Sequence, residues 1–204
     1  MRRYLIVLFF PLLLAACVGE SVWAPDELME RNVYRKPGPA TLTLITMKNT
    51  GTGNGAHTAV MINASQRVLW DPAGTFAHPS IPERNDVIFG VTPRIEQFYL
   101  SYHSRVTYYT VQQTIEVSPE VAEMALRAVM AYGAVPKANC TRATAKILRE
   151  LPGFEDFTVS FFPNNLHDQF AELPGVVTTE YREDDADDKS FAAAEIDAAI
   201  RAGQ

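Results

Sequence analysis

Thiols are scarce in this chain of 204 residues, which has two cysteines, Cys17 and Cys140. Cys17 closes an N-terminal segment with the look of an export signal, and Cys140 is left without a partner for an internal disulfide. A lone thiol in an exported protein is either an inert buried side chain or a reactive group. Basic residues are also in deficit, 18 against 24 acidic ones, for a net charge of −6. Such a balance does not predict the basic surface that phosphate-backbone binding requires, and nucleic acid is not an expected partner. One cysteine and four scattered histidines give no zinc spacing, so no metal is expected. Gly51, Gly53 and Gly55 are not followed by a P-loop lysine and match no dinucleotide fingerprint, so they read as a flexible loop and no cofactor is expected. The apolar run Tyr4 to Leu14 is too short for a comfortable membrane span. No internal repeat is evident.

What is present begins with export. Arg2 and Arg3, the apolar run, and then Ala15 and Ala16 follow the order of a secretory signal. Leu14-Ala15-Ala16-Cys17 resembles a bacterial lipobox, which implies that residues 1–16 are removed and that Cys17 carries membrane lipid as the mature N-terminus. Val18 stands where an aspartate would retain the product in the inner membrane, so outer-membrane anchoring facing the periplasm is expected. Processing takes two arginines and no acids, leaving a net charge of −8, of which −5 lies from Glu180 onward.

Residues 17–40 hold three prolines and no clear periodicity, and they read as a tether. Thr41 to Met47 alternates as a strand does. His57 to Ile62 and Arg67 to Trp70 read as a hairpin joined by Asn63-Ala64-Ser65-Gln66. Asp86 to Val91 and Arg105 to Val117 are further strand candidates, and Thr92-Pro93 is suited to start a helix through Tyr102. Ser118-Pro119 caps and opens the clearest helix, which Gly133 ends. A second helix spans Thr141 to Leu151, and Asn165 is placed to cap a third through Leu173. Residues 180–204 read as a charge-dense, disordered linker with an isolated helix, Ser190 to Ala202. Strands early and helices late predict an α+β domain over residues 41–179, an antiparallel sheet packed with helices.

The attacking form of cysteine is the thiolate, which a helix N-terminus stabilises, and Cys140 sits where a helix begins. Of the histidines, His57 is the best base, at the mouth of a strand after the glycine-rich loop; His78 reads as a loop residue, and His103 and His167 as surface or packing residues. An antiparallel hairpin would set Asp71 beside His57, either to orient the imidazole or merely to start the Asp71-Pro72 turn. His57-Thr-Ala-Val-Met-Ile, Val68-Leu-Trp-Asp71-Pro-Ala-Gly, Asn139-Cys140 and Phe162-Pro163-Asn164-Asn165-Leu166 together resemble the circularly permuted NlpC-like papain-fold cysteine hydrolases, relatives of lecithin:retinol acyltransferase. The likeness covers roughly Thr41 to Leu173. It departs at Trp70-Asp71, where the acyltransferases carry a second histidine, and at Thr141-Arg142, where Glu-His commonly follows the nucleophile. The resemblance implies a thiol hydrolase acting on an amide or ester, a cell-envelope peptide or alternatively a lipid. Cys140 would attack, His57 would carry the proton, and Asp71 would hold the ring. A non-catalytic envelope lipoprotein that uses the scaffold for binding is the reading from another class.

Overall fold

The computed structural model describes Gly19 and residues 21–202; Cys17 and the export signal lie outside the described residues. Seven strands form one antiparallel sheet: β1 (Thr41–Asn49), β2 (Gly55–Asn63), β3 (Arg67–Trp70), β4 (Glu83–Arg84), β5 (Val87–Phe89), β6 (Tyr108–Glu116) and β7 (Val177–Tyr181). Their order is β4-β5-β3-β2-β1-β6-β7, with β1 central between β2 and β6. The helices are α1 (Asp26–Arg31), α2 (Pro93–His103), α3 (Pro119–Tyr132), α4 (Cys140–Leu148), α5 (Pro163–Ala171) and α6 (Ser190–Arg201). The α+β class and the antiparallel sheet with helices on it are those that the sequence pattern predicts.

Alternation along the strands divides the core in two. Leu42, Leu44, Val60, Ile62, Val68 and Trp70 face α3, α4 and α5. Ile45, Met47, Ala59, Met61 and Leu69 face α2 and α6. The capped helices start where their prolines put them: Thr92 Oγ1 accepts from the Ile95 amide and Ser118 Oγ from the Val121 amide, each at 3.3 Å. Asn165 is not a cap, because α5 opens two residues earlier at Pro163.

Two segments differ from their sequence reading. Of the expected tether, 17–40, the described residues 21–40 are largely docked. The Ala24 amide donates to Glu83 O at 2.9 Å, Trp23 bridges to Arg84, and Tyr34 O accepts from the Arg67 amide at 2.6 Å. Asn63 Nδ2 donates to the carbonyls of Lys36 and Pro39, both at 3.1 Å. These are backbone and amide contacts, which leave no apolar period to be read. The expected disordered linker is likewise ordered. Residues 177–181 extend the sheet beside β6, and Asp185 takes two 3.0 Å bonds from the Arg105 guanidinium, which also pairs with Glu183. Helix α6 buries Ala192 and Ile196 against α2, so it is not isolated.

Candidate active site

Cys140 is the first residue of α4, at an N-terminus whose free amides and dipole favour a thiolate. Asn139, immediately before it, makes no side-chain cap. His57 is aimed by an irregularity in β2: Met47 pairs with His57 and Lys48 with Gly55, so Ala56 is an extra residue, a β-bulge. Asp71 follows β3, and its Oδ1 accepts from His57 Nε2 at 2.6 Å and from the Tyr99 hydroxyl at 2.7 Å. With Nε2 engaged, Nδ1 is the ring nitrogen left free, and Cys140 is near enough for its charge to act on the ring. The structure thus brings Cys140, His57 and Asp71 together from three separate elements.

The electrostatics of the three are coupled. Burial is the largest influence on His57 and pulls its pKa down; Asp71, by charge and hydrogen bond, and Cys140 outweigh it and raise the value from 6.5 to about 10. Burial likewise pushes the Cys140 thiol up, yet His57, the Thr141 hydroxyl and the Thr58 amide bring it below its ordinary 9.0. Asp71 also resists ionisation through burial, and the neighbouring His57 holds it below the usual 3.8. All three shifts favour a thiolate beside an imidazolium that is held by a carboxylate. Thr141 Oγ1 lies 3.8 Å from Cys140 Sγ and 3.0 Å from Thr58 Oγ1, which ties the head of α4 to β2.

Three residues are present that the sequence reading does not assign. Tyr99 buttresses Asp71. His103, expected at the surface or in packing, stacks on His57 with ring centroids 6.2 Å apart and donates Nδ1–H to Tyr99 O at 2.9 Å. Burial drives its pKa to about 4, so it is the neutral member of the histidine pair. Tyr99 and His103 stand one turn apart on α2, a spacing visible once that helix is accepted. Asp86 joins the two flanking loops: its Oδ2 accepts from the Val135 amide at 2.7 Å and the Ala73 amide at 3.3 Å, and its carbonyl from the Asp71 amide at 2.8 Å. Ala73, Asp86 and Ala138 all have left-handed backbone, with φ of 58°, 67° and 63°, a conformation that costs about 1 kcal/mol or more per non-glycine residue. No sequence signal marks Asp86, because its role lies in loop geometry.

His78 leans on Asp197 of α6 at 3.2 Å, and His167, half-buried on α5, stands apart from the cluster. A cleft of about 360 Å³ opens beside His57, lined by Met47, Tyr102, His103 and Tyr108 and, from the C-terminal segment, Asp187 and Lys189. Cys140 does not line it and is 8% exposed. Among the described residues no three His, Cys, Asp or Glu side chains gather as a metal site needs. No family model matches the chain, and neither a curated protein nor a solved structure matches it.

Proposed function

We propose that this protein is a lipid-anchored thiol hydrolase of the bacterial cell envelope, of the permuted papain-like class, cleaving an amide or ester, with an envelope peptide as the favoured substrate. The observation that carries the reading is the convergence of Cys140, at a helix N-terminus, with the hydrogen-bonded pair His57 and Asp71. The Cys140 thiolate attacks the substrate carbonyl carbon, and the oxyanion that forms is met by the Cys140 backbone amide and the α4 dipole. His57 gives its proton to the departing amine or alkoxide as the C–N or C–O bond breaks, leaving a thioester on Cys140. The neutral His57 then takes a proton from water, whose oxygen attacks the thioester; the acid leaves and the thiol is restored. Asp71, fixed by Tyr99, holds the ring for both transfers.

The reading is tested with a thiol-directed acyl probe. Rapid labelling of Cys140 that His57→Ala abolishes supports it, and equal labelling of the two proteins refutes it. The shallow exposure of Cys140 favours one second reading, a scaffold that binds through the His57 cleft without turnover. Ligand retention in the cleft with an unlabelled Cys140 is the outcome expected for that reading.

A further inference from the structure

Between Glu123 and Glu150 the chain carries Arg127, Lys137, Arg142, Lys146 and Arg149 and no acid, in a protein that is otherwise acidic. Arg127, Lys137, Lys146 and Arg149 are exposed, and among the described residues none of them has an acidic partner. Apolar side chains stand among them: Phe161 is 57% exposed, Phe162 68%, Met130 49% and Tyr132 40%. Arg142 lies 5.5 Å over the Phe161 ring, and Tyr132, Lys146, Arg149 and Val159 line one groove with a single acid, Glu150, at its edge, so the end of α3, the outer side of α4 and the 159–162 segment form one surface. Cationic and aromatic side chains exposed together suit the boundary between water and anionic lipid headgroups.

The start of the chain leads to this surface. Gly19 is packed so closely on the loop before Cys140 that a Cβ there would lie 2.5 Å from the Ala134 carbonyl carbon. Cys17 is two residues further back, a reach of about 7 Å. The acidic C-terminal segment ends in α6, which packs with α2 on the other side of the sheet. We infer that the α3–α4 surface docks on the anionic bilayer that anchors the protein, so that the loop leading into Cys140 is held at the headgroup level. The inference rests on the reading of Cys17 as acylated. It confines the substrate to what lies at the membrane surface, which a long tether would not.

The test uses the full, membrane-extracted protein carrying Trp23→Phe and Phe162→Trp, so that buried Trp70 and the indole at 162 are its fluorophores. It is reconstituted in phosphatidylcholine vesicles with or without phosphatidylglycerol and with brominated acyl chains as quenchers. Strong quenching with the anionic lipid, reduced several-fold by high salt or by Lys137→Glu, Lys146→Glu and Arg149→Glu together, is the expected result; a melting curve shows that the charge variant is folded. An unquenched indole on an acylated protein overturns the docking and leaves the anchor standing. Mass spectrometry of the same sample reads the anchor separately: a mature chain without acyl groups on Cys17 overturns the inference together with the lipoprotein reading. Probe labelling of Cys140 is independent of both.

Discussion

The two histidines of the site differ in charge although their rings stack, and the difference lies in what each can reach. His57 is hydrogen-bonded to the Asp71 carboxylate and feels the charge of Cys140, whereas the Nδ1 of His103 has a backbone carbonyl as partner. Alkylation of Cys140 by iodoacetamide should therefore be fast at neutral pH. It should fall at acid pH as the thiolate takes up a proton and change again near pH 10, where His57 loses its own. In His57→Ala burial is left to push the Cys140 thiol up, and the rate at pH 7 should drop, by about tenfold for each unit that the thiol pKa rises above 7. Stability should follow the same shift. The contribution of His57 is full below pH 6.5 and lost as pH rises through about 10, while that of Asp71 is present above 3.8 and lost as pH falls through its depressed value. Urea melts of His57→Ala should show a flatter stability curve between pH 6.5 and 10 than the parent. Gly74 is a second lever, since a Cβ there would sit 1.8 Å from Asp71 Oδ2. Gly74→Ala should push the carboxylate off the imidazole and lower Cys140 labelling at neutral pH, with the fold retained by circular dichroism.

At the scale of elements, the C-terminal segment gives the sharpest test. Ile196 on α6 is 4% exposed, and Ile196→Ala should cost about 2 to 4 kcal/mol. At about 2 to 4 °C per kcal/mol for a chain of this size, Tm should fall by roughly 5 to 15 °C in a thermal melt. An unchanged Tm would mean that α6 detaches in solution. This docking was hidden in the sequence because its apolar stripe is short, Ala192 and Ile196, and because the acids before it read as solvated until Arg105 is placed among them. The hairpin, β1 and helices α2, α3 and α4 were legible, since Pro, Ser, Thr and Gly mark their ends and the apolar periods mark their faces. The meeting of Cys140 with His57 was not legible from spacing: the two are far apart in sequence, and only the resemblance to permuted papain-like hydrolases suggested it. Residues 22–39 were misread for another reason, because hydrogen bonds to Asn63, Glu83 and Arg67 leave no trace in hydropathy.

At the scale of the molecule, Cys17→Ser should abolish anchoring and leave a soluble or unprocessed product; unchanged membrane partitioning and an unchanged mature mass would remove the lipoprotein reading. The sheet order has a consequence for how such a chain is made. Central β1 lies near the start, but its partner β6 ends at Glu116, the helices that cover one face come after that, and the cover of the other is completed only by α6. A chain synthesised from its N-terminus therefore has one face of its sheet open until α3, α4 and α5 emerge, while α2 is already at hand for the other. Ribosome-arrested chains ending at Val117, before α3, should be digested by protease at a rate close to that of the unfolded protein, and full-length released chains should resist it. A sheet left open on one face until its late helices arrive is one that a translocation channel can still thread.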